Sequence, residues 1–251
     1  MTLVPAKKAK KIRLDEAVFS RGLAGSIREA RALIMSGIVS VKGRMVDKAG
    51  HVVAPDALIT LKERPPYVGR GGLKLAGLLD ATGFSPEGLT AMDVGSSTGG
   101  FTDCLLKRGA ALVHAVDVGV GIIDWGLRSD IRVHLLEGCN IRRLDPVEVG
   151  APIDMAVMDL SFISLKKVLP LMKGFVKTGG RVFALIKPQF EAPRKDVAKG
   201  GVVRDPGVRK MVVEDIKAFA LTAGFRVLGT VESPIKGAKG NREFWIDLEV
   251  I

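Results

Sequence analysis

Apolar positions along this 251-residue chain change their rhythm once. Up to about residue 62 the patterns are short and mixed. Leu14 to Arg21 and Ser26 to Ser36 read as two short helices; in the second, Ile27, Ala30, Leu33 and Ile34 recur at helical spacing behind Ser26 as N-cap. Gly37 predicts the end of the second helix, and Ile38-Val39-Ser40-Val41 alternates as a strand does. Lys42-Gly43-Arg44 reads as a turn, with further short strands at Met45-Val46 and Leu58–Leu61. The expectation is a small α+β unit.

The run Lys62-Glu63-Arg64-Pro65-Pro66-Tyr67-Val68-Gly69-Arg70-Gly71-Gly72 breaks the pattern, because paired prolines fix φ and remove backbone donors. It predicts a first domain over 1–62, a linker over 63–70 and a second domain over 71–251. Beyond it, short apolar runs alternate with helical stretches. Strands are expected at Leu89–Val94, Ala111–Val116, Val133–Leu136, Met155–Leu160, Val182–Ile186 and Phe225–Thr230. Helices are expected at Leu73–Ala81, Phe101–Lys107, Leu165–Lys173 and Pro206–Ala223. Such alternation predicts an α/β, Rossmann-like, mostly parallel sheet with helices on both faces. Phe244–Val250 follows its predecessor after too short a loop for a crossover helix, so an antiparallel strand is expected at the end of the sheet.

Charge changes the picture. The chain carries 38 Lys and Arg against 27 Asp and Glu, a net +11. Residues 1–66 hold 13 basic and 6 acidic residues, so about a quarter of the chain carries most of the excess. That is the footprint of a polyanion partner, nucleic acid first. No apolar run approaches the ~18 residues of a membrane helix, and no apolar signal core follows Lys7, Lys8, Lys10 and Lys11. Cys104 and Cys139 have neither disulfide nor zinc spacing, which suits a reducing cytoplasm.

The segment Asp93-Val94-Gly95-Ser96-Ser97-Thr98-Gly99-Gly100 places a glycine turn between a strand and a helix. Ligands of open α/β sheets bind at such strand ends. The pattern is neither a dinucleotide fingerprint nor a phosphate loop. Asp93 suits a ligand ammonium, and Asp117, ending the next strand, suits a ribose hydroxyl pair. S-adenosylmethionine, a nucleoside with a zwitterionic tail, has that shape.

Four more charges stand where an apolar sheet does not need them: Lys74 after the linker, Asp159 and Lys187 at strand ends, and Glu243 before the final strand. Two lysines and two acids converging at strand ends suit deprotonation of a weakly acidic hydroxyl. Desolvation and a neighbouring cation bring a lysine amine down from its ordinary pKa of about 10.4. His51, His114 and His134 are scattered and read as structural, and no metal site is expected.

The runs GRGGLKL (69–75), DVGSSTGGFTDCLL (93–106), VMDLSFISL (157–165), IKPQFE (186–191) and KGGVVRD (199–205) resemble the TlyA, or haemolysin A, family. That resemblance implies an S4 RNA-binding domain joined to a FtsJ-like methyltransferase domain, acting on ribosomal RNA ribose 2′-hydroxyls. It implies that the Lys-Asp-Lys-Glu catalytic tetrad falls on Lys74, Asp159, Lys187 and Glu243, with Lys187 taking the hydroxyl proton. It further implies Gly95, Ser97, Gly99 and Gly100 at the methionine end of the cofactor, Asp117 at its ribose and Asn140 at its adenine. The S4-like part offers Arg21, Arg28, Arg31, Lys42 and Arg44 to RNA phosphates. The resemblance implies a cytidine target, and because the chain stops at Ile251 without the C-terminal extension of the longer family type, large-subunit RNA is expected, with the small subunit as the alternative. The competing readings are a non-catalytic S4-type assembly factor, a membrane-active haemolysin and an S4-containing modifying enzyme of another class. The intact tetrad speaks against the first, the lack of a spanning segment against the second, and the glycine loop against the third.

Overall fold

The computed structural model describes residues 11–35, 37–62 and 65–251. The lysine tract up to Lys10, the expected helix end at Ser36 and the expected linker start at Glu63-Arg64 lie outside them. The chain forms two compact units that divide between Pro65 and Pro66.

The first unit runs β1 (Ile12–Arg13), α1 (Leu14–Ser20), α2 (Ile27–Met35), β2 (Val39–Val41), β3 (Arg44–Met45), β4 (Val52–Val53) and β5 (Ile59–Leu61). The strands β3-β2-β5 form one antiparallel sheet, and β1 pairs with β4. Leu14, Val18, Leu33 and Ile34 are fully buried between the helices and sheets. Ser26 caps α2 as its sequence predicts, accepting from Glu29 N at 3.1 Å. The pair β1–β4 has no counterpart in the sequence reading, because two residues per strand give no alternation to detect.

In the second unit, α3 (Gly71–Thr82) precedes β6 (Thr90–Val94), α4 (Gly100–Lys107), β7 (Leu112–Val116), α5 (Trp125–Arg128) and β8 (Val133–Leu136). Then come β9 (Ile153–Met158), α6 (Met172–Phe175), β10 (Val176–Ile186), α7 (Pro188–Glu191), α8 (Pro206–Thr222), β11 (Phe225–Glu232) and β12 (Phe244–Val250). The seven strands lie in the order β11-β12-β10-β9-β6-β7-β8. Those from β10 to β8 are parallel neighbours, whereas β12 runs antiparallel to both β10 and β11. The antiparallel last strand is therefore one place in from the edge and not at it. The β11–β12 hairpin folds inward, so β12 takes the free side of β10.

Both faces of the central strands are buried, which explains their continuous apolar runs, whereas the edge strand β11 is exposed at every second residue. Val182, Ala184 and Ile186 face the side packed with Ile216 of α8. Phe183 and Leu185 face the other, with Leu75 and Leu79 of α3 and Leu105 of α4. The helix expected at Leu165–Lys173 is instead two 3-10 turns, Leu165–Lys167 and Leu169–Leu171, before α6. Pro170 has no N–H to continue an α-helical ladder. Tyr67 packs against the core under α3 and Val68 N donates to Asp103, so part of the expected 63–70 linker belongs to the second unit.

Candidate active site

Parallel strands deliver their C-terminal ends to one edge of the sheet, and this chain ends four of them in polar chemistry. The 95–100 loop follows β6, Asp117 follows β7, Asp159 follows β9 and Lys187 follows β10. Because β12 is antiparallel, its beginning reaches the same edge: Phe244 pairs with Ile186, which puts Glu243 beside Lys187 in register. Lys74 arrives from the first turns of α3.

These side chains meet. Lys74 Nζ lies 2.6 Å from Glu243 Oε2 and 3.7 Å from Asp159 Oδ2. Lys187 Nζ lies 2.5 Å from Asp159 Oδ1, a charge contact without hydrogen-bond alignment, and donates to Ser161 Oγ at 3.0 Å. Asp159 thus stands between the two lysines, one at each oxygen. The Glu243 side chain is only 2% exposed, those of Lys74 and Lys187 11% and 10%. Buried charges need such partners. Gly237 makes room for Glu243, since a Cβ there would overlap its Oε1.

A cavity of about 430 Å³ opens against this cluster, with Asp159 in its wall. Val94, Val116 and Ile141 supply apolar lining, and Gly95, Ser97, Asp117 and Asn140 supply the polar part. Asp117 accepts from Ser97 N through Oδ2 and from Gly119 N through Oδ1, both at 2.7 Å, which fixes its carboxylate. Asn140 Oδ1 accepts from Arg142 N at 3.1 Å, which fixes the turn. A smaller pocket of about 120 Å³ shares Gly95, Ser97 and Asp159 and adds Gly100.

Two residues expected at the ligand lie outside both cavities. Asp93 lines neither cavity. It is fully buried, and its Oδ2 accepts from Thr102 N at 2.9 Å and Thr102 Oγ1 at 2.7 Å, tying β6 to α4. Burial pushes its carboxyl up to about 7, against the opposing effect of the Thr102 bonds; Oδ1 has no partner. Gly99 also lines neither cavity: a Cβ there would overlap Leu127, so this glycine lets α5 approach the loop.

Beside the cluster lies chemistry that the sequence reading did not single out. Phe162 is 90% exposed and holds φ +64°, a region costly for a bulky residue. Its ring lies 5.0 Å from that of Phe190, and Lys187 Nζ is 5.8 Å from the Phe190 ring. The two rings line a third cavity of about 710 Å³ together with Gln189. The only available signal was proximity, since Phe162 and Gln189 sit within three residues of Asp159 and Lys187.

In the first unit the five basic candidates separate. Arg21 donates to the carbonyls of Ala57 and Pro55, and Arg31 pairs with the buried Asp15 at 2.8 Å. The hydrogen bond from Arg13, with a further one from Arg31, holds the Asp15 carboxyl well below the usual carboxylate range. All five are exposed, but Arg28, Lys42 and Arg44 make no side-chain hydrogen bond or ion pair with the described residues. Among the described residues no cluster of three or more His, Cys, Asp or Glu suits a metal ion, and no helix is long and apolar enough to cross a membrane.

Residues 67–249 match the FtsJ-like methyltransferase model, and residues 12–59 match the S4 domain. The chain belongs to the FtsJ-like methyltransferase family. The 16S/23S rRNA (cytidine-2′-O)-methyltransferase TlyA of Mycobacterium tuberculosis is 41% identical over 95% of this chain and 90% of that protein. Hemolysin A of Brachyspira hyodysenteriae is 39% identical over 93% of this chain and 98% of that one. A solved structure described as "Putative hemolysin from Streptococcus thermophilus" superposes with TM-score 0.74 at 41% identity, covering 96% of this chain and 88% of that one.

Proposed function

We propose that this protein transfers the methyl group of S-adenosylmethionine to the ribose 2′-hydroxyl of a cytidine in ribosomal RNA. The observation that carries the reading is the convergence of Lys74, Lys187 and Glu243 around Asp159, which stands in the wall of a largely apolar cavity at the strand ends. The cavity fits the cofactor: Asp117 retains acceptor capacity for a hydroxyl pair, and the apolar walls suit an adenine ring. When bound there, S-adenosylmethionine supplies an electrophilic methyl group. The protein's part is to hold the acceptor oxygen and take its proton. Lys187 Nζ is the group assigned to that proton, with Asp159 and Ser161 fixing its position. Lys74 adds a positive charge next to the oxygen that becomes negative, and Glu243 keeps Lys74 in place.

Phe162 and Phe190 give the acceptor nucleoside a stacking face, the use to which exposed aromatics are put in single-stranded RNA recognition. Arg28, Lys42 and Arg44 of the S4 unit bind phosphates. Ribosomal RNA as partner makes the cytoplasm the site of action. The intact four-residue cluster favours this reading over a non-catalytic RNA-binding role.

The test is transfer of labelled methyl groups from S-adenosylmethionine to small and large ribosomal subunits lacking the modification, assayed separately, with Lys187→Ala as control. Label on a cytidine 2′-oxygen is expected. No label in either subunit, with the cofactor still bound, overturns the reading.

A further inference from the structure

Glu243 reaches the charge cluster from a loop, and that loop hangs on one side chain. Residues 233–243 leave β11 and return as β12, closed at their base by Ser233 N donating to Glu243 O at 2.9 Å. Asn241 has extended backbone (φ −58°, ψ 136°), and side chains alternate in direction from it. Asn241 and Glu243 are buried, whereas Arg242 between them lies at the surface beside Glu232. Asn241 also holds the wall against which the Glu243 carboxylate packs. Its carbonyl accepts from Gly237 N at 2.9 Å, and its Nδ2 donates to Ala238 O at 3.1 Å. Gly237 is the residue at which a Cβ would overlap Glu243 Oε1.

The same amide reaches a distant part of the chain. Nδ2 donates to Gly201 O at 2.8 Å, and Oδ1 accepts from Val203 N at 3.1 Å. A carbonyl and an N–H two residues apart are the groups that a neighbouring strand would satisfy, and here a side chain does so. Two carbonyls on its nitrogen and an N–H on its oxygen fix which way the amide points. The segment they belong to turns on two successive left-handed glycines, Gly200 and Gly201, at φ +100° and +78°. Residues 199–203 line none of the three cavities, so the segment holds the loop without touching a ligand.

We infer that Asn241 is a positioning residue for the methyl transfer: anchored on residues 201–203, it fixes Gly237, Ala238 and the course of the chain into Glu243, and through Glu243 the place of Lys74. The inference rests on the proposed transfer to a ribose in this site. Loss of the amide removes three hydrogen bonds and frees the loop to shift. A shift of about 1 Å in a catalytic group is enough to slow a reaction by about a hundredfold, while the cofactor cavity keeps its own lining.

The experiment measures kcat and KM on unmodified ribosomal subunits for wild type and Asn241→Ala, below the melting temperature of both, with S-adenosylhomocysteine affinity by calorimetry. In the variant kcat should fall about tenfold or more, with KM for RNA and the calorimetric affinity within about threefold of wild type. A structural role alone predicts a lower urea midpoint with kcat of the folded protein unchanged, and that result overturns the inference. So does a defect confined to KM, which would place residues 199–203 in the grip on RNA, or one confined to cofactor affinity. Should Asn241→Ala not fold, Gly201→Val carries the test: a β-branched side chain is strained at φ +78°, which moves the carbonyl off Asn241 without altering residues 233–243. The same loss of kcat is expected, and an unchanged kcat overturns the inference. Absence of transfer by wild type overturns the activity itself, whereas an active wild type with equally active variants overturns only the role of Asn241.

Discussion

Lys74 and Glu243 are 169 positions apart in the chain and 2.6 Å apart in the fold. One belongs to the helix that opens the second unit, the other to the approach to its last strand. Their pairing seats a cation beside Asp159 and, through it, across from Lys187.

Because both partners are largely withdrawn from water, removing one should be worse than removing both. Glu243→Ala should destabilise the protein by up to about 3 kcal/mol, by leaving buried Lys74 only its longer contact to Asp159. The double variant Lys74→Met/Glu243→Leu should recover part of that loss while remaining inactive. Urea midpoints of the two singles and the double check this, and additive losses would contradict it.

Lys187→Ala should abolish methyl transfer but leave affinity for S-adenosylhomocysteine within a few-fold, because Lys187 lines neither the cofactor cavity nor the pocket beside it. Calorimetric titration alongside the transfer assay separates the two effects. An active Lys187→Ala protein would remove Lys187 as the proton acceptor.

Phe162 trades backbone strain for an exposed ring. Phe162→Gly relieves the positive φ, so its thermal midpoint should not fall, whereas kcat/KM on RNA should drop about tenfold or more. A fall in stability with unchanged turnover would make Phe162 a packing residue.

Asp93 sets a pH dependence. Its folded-state carboxyl is raised to about 7 from an ordinary 3.8, so the folded protein holds a proton that the unfolded chain has released. Stability from this group is complete below about pH 4 and is lost as pH rises through 7. His114 works in the opposite direction: burial, with His134 beside it, lowers it to about 4, so it costs stability as pH falls below 6.5. From about pH 6.5 upward the Asp93 effect stands alone. Urea midpoints of wild type should decline from there and level off by about pH 8, and those of Asp93→Asn should stay flat.

In the first unit, replacing Arg28, Lys42 and Arg44 together by Ala should weaken RNA binding. The slope of log affinity against log salt should also fall, by about one for each phosphate that the variant no longer neutralises. Arg31→Ala should behave differently and lower the melting temperature, since it removes one of two cations from the buried Asp15. Equal salt slopes for the triple variant and wild type would assign docking to other residues.

Much of this was legible in the sequence because it depends on long patterns. The buried strands of the second unit announce themselves as unbroken apolar runs, and the charges at their ends stand out against that background. What was not legible depends on direction. Asp93 falls within a strand, and nothing in its neighbours tells whether a side chain there faces ligand or helix; it faces Thr102. The inward fold of the β11–β12 hairpin is likewise unwritten in its residues. An arginine reads alike whether its guanidinium is left to solvent, as in Arg28, or spent on carbonyls, as in Arg21.

The position of β12 has a consequence for synthesis. Inserted between β10 and β11, this strand brings Glu243 to the edge where Lys74 already waits. A nascent or prematurely terminated chain lacking residues 243–250 would own the whole glycine loop and Asp117, yet have neither the partner for Lys74 nor the middle strand joining β11 to the sheet. The proposed chemistry therefore waits until residues 243–250 have been made and β12 has entered between β10 and β11.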